Sequence, residues 1–258
     1  MRWAGAPSNG PVSAMDYLYG ILLALLAGLF TLIGCFMAMY IKGKGNLCMC
    51  LGMGFTAGVM IFVAFVELLG ISIGKIGLGY ALVSFFVGML LIYVIDISVP
   101  HHYKAEKDRR LLRVGFMVML GLAIHNFPEG MAVLFSATAD TKLGLAVAIA
   151  IAIHNIPEGI AVSLPILQAT KSRTKAFTAS LFTAIAEPLG AFIGMVLLAS
   201  FISEQLIYIL LAGVGGTMVF ISFDELLPEA FNYQNRHTII AGVIAGMGVM
   251  ALSLVVIG

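Results

Sequence analysis

Eight apolar runs, each long enough for the roughly 20 helical residues that cross a bilayer, divide the chain near residues 17–41, 49–70, 73–96, 111–137, 142–168, 174–200, 204–230 and 236–257. They lack the alternating period of barrel strands, and a helix satisfies its own backbone in lipid. The pattern therefore predicts an all-α polytopic membrane protein with eight transmembrane helices. Residues 1–14, rich in Gly, Pro, Ser and Ala ahead of Met15, read as a tail or an expression scar. Residues 15–258 read as a single transmembrane domain.

Two of the runs are interrupted by the same polar set. His125-Asn126-Phe127-Pro128-Glu129-Gly130 in span four returns 29 residues later as His154-Asn155-Ile156-Pro157-Glu158-Gly159 in span five. Imidazole, amide and carboxylate groups cost several kcal/mol each when desolvated without partners, so two such clusters at membrane depth demand compensation. Positions i and i+4 share a helix face, which pairs His125 with Glu129 and His154 with Glu158. Asn126 and Asn155 are rotated by about 100° and can address a second locus. Pro128 and Pro157 cannot donate to the carbonyls of Ile124 and Ile153, which frees oxygens and permits a kink. Glu187-Pro188 in span six repeats the pairing of a carboxylate with a helix breaker.

Mixed imidazole and carboxylate donors suit Zn(II), Fe(II), Mn(II), Co(II) or Cd(II), whereas an all-oxygen set would point to Mg(II) or Ca(II). Zinc or iron fits best, and one metal or two stays open. A polar network that merely staples helices accounts for one intramembrane histidine but not for the whole set twice. Metal binding by such donors weakens below about pH 6, as imidazoles protonate.

A second repeat lies 158 residues apart, Gly58–Gly70 (GVMIFVAFVELLG) against Gly216–Pro228 (GTMVFISFDELLP), with seven of 13 positions identical. The shared glutamates, Glu67 and Glu225, are poorly explained by low complexity. Spans two and seven run antiparallel, so the segments read as an inverted repeat of helices 1–3 and 6–8 around helices 4 and 5, an arrangement that builds two alternating gates around a central site. Glu67 is expected near the outer mouth, and Asp224 with Glu225 near the inner one.

Composition closes off other classes. Of 258 residues 61% are hydrophobic and 10% charged, and the mean hydropathy of +1.06 excludes an ordinary soluble domain. A net charge of +1, with the basic residues dispersed over short loops, gives no nucleic-acid surface. Cys35, Cys48 and Cys50 are too few for a disulfide framework and read as reduced structural thiols. Eleven of the 14 basic residues fall on one side of the predicted spans, leaving Arg2, Lys75 and Lys142 on the other. The positive-inside rule then puts both termini outside the cell membrane.

The two hexapeptides, Glu187-Pro188-Leu189-Gly190 and Asp224-Glu225-Leu226-Leu227-Pro228 together resemble the ZIP family of divalent-metal transporters, in its bacterial ZupT-like branch, over essentially all of residues 15–258. The resemblance implies a 3+2+3 arrangement of helices, a binuclear intramembrane site, metal movement into the cytoplasm by an elevator-like or rocking motion, and a homodimer. Carried over residue by residue, the metal ligands fall on His125, Asn126, Glu129, His154, Asn155, Glu158 and Glu187. The segment between spans three and four, commonly His-rich in the family, offers only His101 and His102 here. Gly70 stands where a proline often follows the outer Glu-Leu-Leu. A membrane-embedded metallohydrolase is the rival reading. The chain has no His-Glu-x-x-His, and a hydrolase needs no second gate.

Overall fold

The computed structural model describes residues 12–40, 46–98, 107–198, 204–233 and 235–257. Most of the tail, and His101 and His102, lie outside these. Among the described residues eight helices are long and apolar enough to cross a membrane: α1 Ala14–Tyr40, α2 Asn46–Ile76, α3 Leu78–Ser98, α4 Asp108–Ala139, α5 Thr141–Thr170, α6 Arg173–Val196, α7 Gln205–Phe231 and α8 Arg236–Val256. Several connections are minimal. Asp140 alone joins α4 to α5, caps the latter by accepting from the Leu143 amide at 2.9 Å, and so forces the two helices to run side by side in opposite directions. Lys171, in the left-handed conformation with φ 54°, turns α5 toward α6.

The boundary between α2 and α3 differs from the sequence expectation. Gly70 was the apparent stop, yet it is helical at φ −60°, ψ −47°, because glycine permits a break without requiring one. The break falls at Gly77, where φ 81° and ψ 158° lie in a region essentially reserved for glycine. Gly77→Ala should therefore cost about 1–3 kcal/mol, read as a lowered unfolding temperature of the detergent-solubilised protein. An unchanged unfolding temperature would show that the turn relaxes freely.

α4 and α5 are the most enclosed helices, and α3 and α8 the least. The enclosed volume is filled largely by methionine and aliphatic side chains, with Met49, Met53, Met60, Met117, Leu122, Met218 and Ile221 almost fully buried. Unbranched methionine adapts to irregular gaps between helices. Aliphatic and aromatic side chains such as Val83, Phe86 and Leu90 on α3 and Ile244, Leu252 and Val255 on α8 cover the outside, as a lipid-facing surface requires.

Helices approach most closely through glycines, and the approaches come in matched pairs. A Cβ at Gly58 would meet the Val243 carbonyl oxygen at 2.2 Å, and one at Gly216 would meet that of Phe85 at 1.9 Å. Gly246 lies equally tight on the Phe55 carbonyl, and Gly88 on that of Gly213. The first two contacts are carried into each other, and the last two likewise, by the same shift of 158 residues that relates the two Glu-Leu-Leu segments. Both segments also leave the regular α-helix, with π-helical winding over Val63–Leu69 and over Ser222–Leu226. Such wide turns are rare and concentrate at functional positions.

Candidate metal centre

The two hexapeptides meet in the middle of the bundle. His125 and Glu129 face inward from α4, His154 and Glu158 from α5, and all four are at most 2% exposed. Glu129 Oε1 lies 3.1 Å from His125 Nε2 and 3.0 Å from His154 Nε2, while Glu158 Oε1 lies 3.1 Å from His125 Nε2. One carboxylate oxygen is thus shared by both imidazoles. One donor atom each of His125, Glu129 and His154 falls within 4.8 Å of the others, a spacing that one cation can span. The helices stay continuous through Pro128, Pro157 and Pro188, so the prolines release carbonyls without ending the spans.

Asn126 and Asn155 turn away from that locus toward flanking helices. Asn126 Nδ2 donates to the Thr183 carbonyl on α6 at 3.1 Å, and Asn155 Nδ2 to the Ala27 carbonyl on α1 at 2.9 Å. Gly130 abuts the Glu187 carbonyl and Gly190 that of Phe127, while Gly159 abuts the Thr31 carbonyl and Gly34 that of Ile156. α6 therefore stands to α4 as α1 stands to α5, and Thr31 occupies on α1 the place that Glu187 holds on α6. The match of side chains stops there. Glu187 Oε2 accepts from Asn155 at 2.8 Å, so the third carboxylate is hung on the α5 half, whereas its counterpart position carries only the buried hydroxyl of Thr31.

Many polar atoms here end without a hydrogen bond. Nδ1 of both histidines, Oδ1 of both asparagines, Glu129 Oε2, both carboxylate oxygens of Glu158 and Glu187 Oε1 are buried and unbonded. A desolvated polar atom of this kind costs about 1–3 kcal/mol, more if charged. So many in one place, most of them carboxylate and amide oxygens with free lone pairs, describe a cation locus and not a finished polar staple.

From Glu129 a cavity of about 610 Å³ runs past Glu67, Ser136, Ala150 and Tyr208 to Lys75, toward the end where α2 gives way to α3. Glu67 lines it from inside the bundle, since α2 continues to Ile76. In the opposite direction the site is covered by the buried side chains of Met117, Leu122, Ile160, Leu164 and Ile221.

Beyond that cover, Asp224 is exposed, and Glu225 is buried and engaged. Arg113 of α4 donates from Nη1 to Glu225 Oε1 at 2.8 Å and from Nη2 to Asp96 of α3. Arg110 forks onto both carboxylate oxygens of Glu229, at 2.7 and 3.2 Å. Sequence reading passed over Asp96, although it is the sole charged residue of α3 and an ionisable group within a span calls for a partner. Removing one member of a buried pair typically costs about 3–5 kcal/mol, so Arg113→Met should lower thermal stability markedly in a detergent melt. Rescue by Arg113→Met combined with Glu225→Gln and Asp96→Asn is expected, and no rescue would assign the loss to packing.

Comparison with known proteins agrees with these features. Residues 98–254 match the family described as ZIP Zinc transporter. Proteins named zinc transporter ZupT are similar along almost the whole length: that of Chlorobium luteolum is 48% identical over 92% of this chain and 97% of its own. That of Clostridium perfringens is 42% identical over 93% and 96%, and that of Streptococcus mutans 43% over 90% and 95%. The doubled hexapeptide, the eight apolar helices and these relatives lead to one conclusion: the chain belongs to the ZIP family of zinc transporters.

Proposed function

We propose that the chain takes up divalent transition metal, zinc foremost, into the cytoplasm through the locus formed by His125, Glu129, His154 and Glu158, with Glu187, Asn126 and Asn155 completing a second, adjoining locus. The observation that carries this reading is the convergence of buried nitrogen and oxygen donors left without hydrogen bonds. Fully ionised, Glu129, Glu158 and Glu187 bring three negative charges to a buried volume, and a dication offsets most of that. Imidazole with carboxylate suits Zn(II) and extends to Fe(II), Mn(II), Co(II) and Cd(II). Release requires moderate affinity, which shared carboxylates provide better than a closed cysteine cage.

The cation approaches past Glu67 along the cavity that reaches Glu129, trades water for imidazole and carboxylate, and leaves past Asp224 and Glu225. The second step needs the Arg113 bridge to open. Matched glycine approaches at a shift of 158 residues support an inverted repeat of α1–α3 and α6–α8 around α4 and α5, hence the 3+2+3 plan, with both termini outside a bacterial cell membrane by the charge bias of the loops. A homodimer is carried over from the family. Membership in a transporter family speaks against the hydrolase reading.

Purified protein in liposomes should accumulate Zn(II) inside well above protein-free vesicles. Intact zinc binding in detergent with no accumulation in vesicles would sink the transport reading while leaving the site standing.

A further inference from the structure

At the end of the bundle where α4 begins, a groove of about 740 Å³ lies outside the metal path, bordered by Arg109, Leu112, Arg113 and Phe116 of α4, Ile166 of α5 and Lys175 of α6. The α4 members, Met119 included, recur at i, i+3, i+4, i+7 and i+10, so they share one helix face. Arg109 is on the first turn of α4 and Lys175 on the first turn of α6, so these two cations stand at the rim, while exposed Phe116 lies two turns into α4 and buried Ile166 one turn before the end of α5. α5 ends and α6 begins at this same level, which makes the groove a cleft between helix ends.

Cations at the interface above an apolar cleft complement one class of molecule: a phospholipid with a net negative headgroup. Its phosphate would meet Arg109 and Lys175, and an acyl chain would lie along Leu112, Phe116 and Ile166. Basic pockets between transmembrane helices on the cytoplasmic side recur as headgroup sites. We infer that this groove binds an anionic phospholipid of the inner leaflet. Arg113 gives the site a further meaning, since this residue lines the groove while its guanidinium bridges Asp96 and Glu225. A phosphate held at the rim by Arg109 and Lys175 would add negative charge beside that residue, so lipid charge would bear on the bridge at the inner mouth. The binding itself does not depend on the transport reading.

The test uses full-length protein in detergent, with phosphatidylglycerol and phosphatidylcholine of matched chains, read by lipid retention in native mass spectrometry and by thermal shift. Phosphatidylglycerol should be retained preferentially and should raise the unfolding temperature. Arg109→Gln combined with Lys175→Gln should weaken that retention by about thirtyfold, at about 1 kcal/mol per interfacial cation, with phosphatidylcholine retention unaltered. Arg109→Lys with Lys175→Arg should restore it and exclude misfolding as the cause. Equal retention of both lipids, or no loss in the double glutamine variant, overturns the proposal. So does protection by inorganic phosphate equal to that by the lipid, which would assign a free anion, or a change of oligomeric state with lipid retention intact, which would assign the groove to a second copy of the chain. None of these readings involves metal, so their failure leaves the uptake experiment untouched.

Discussion

Zinc uptake by Glu129→Ala in proteoliposomes is expected to fall to the leak of protein-free vesicles, a loss of at least about 100-fold. Groups that merely orient a ligand already change metal affinity about 10–100-fold, and Glu129 stands closer than that. Its Oε1 is 3.1 and 3.0 Å from the two histidine Nε2 atoms, so one truncation removes a donor and the anion that draws both imidazoles together. It also strips a carboxylate from the inner end of the cavity that Glu67 lines. Glu158→Ala should lose less, because Glu158 lies within ion-pair distance of one imidazole, that of His125, where Glu129 reaches both. Both variants must elute as intact protein on size exclusion for the comparison to count. Uptake within a factor of two of wild type in Glu129→Ala would remove the site as proposed.

Gly130→Ala should abolish folded protein or nearly so. The added Cβ would sit 1.8 Å from the Glu187 carbonyl oxygen and 2.7 Å from its carbon, and a backbone on a packed helix cannot swing aside as a side-chain tip can. α6 must move off α4, which carries Glu187 away from Asn155. Overpacking of this kind costs about 1–3 kcal/mol and occasionally more, and here the small-residue contact is itself what lets two helices associate in lipid. Gly248→Ala is the control. Nothing lies within 4 Å of its added Cβ, and alanine favours a helix interior by about 1 kcal/mol over glycine. A monodisperse Gly130→Ala protein with unchanged unfolding temperature would show that the α4–α6 contact is softer than described.

The helices were legible because lipid writes them into composition: a span must be apolar for about 20 residues, and the eight runs meet that demand. Their ends were less so. Gly70 and Gly77 look alike in sequence, and only the surrounding packing decides which adopts a positive φ. The doubled hexapeptide announced its chemistry because polar groups at membrane depth are too costly to be idle. Which atom faces which was not readable: the spacing places Asn126 beside His125 but does not say that its amide turns to Thr183. The acidic pair Asp224 and Glu225 carried a misleading simplicity. Their negative charge is visible in the chain, whereas the Arg113 bridge depends on α3, α4 and α7 converging, a contact across more than 100 residues with no local trace.

The glycine approaches also mark where the molecule can slip. Among the described residues, every one in which an added Cβ would come within 3.0 Å of another helix's backbone joins α1, α4, α5 and α6 among themselves, or α2, α3, α7 and α8 among themselves. Across the two sets the tight meetings are with side-chain tips, Gly52 on Leu164 and Gly121 on Ile221. Backbone locked against backbone resists shear, while methyl groups can trade neighbours. A motion that preserved every such lock would carry the six hexapeptide donors and Glu187 as one piece past α2, α3, α7 and α8, and it would have to break the polar links that span the same seam: the Arg110 and Arg113 ion pairs and the Thr56 hydroxyl on the Pro157 carbonyl.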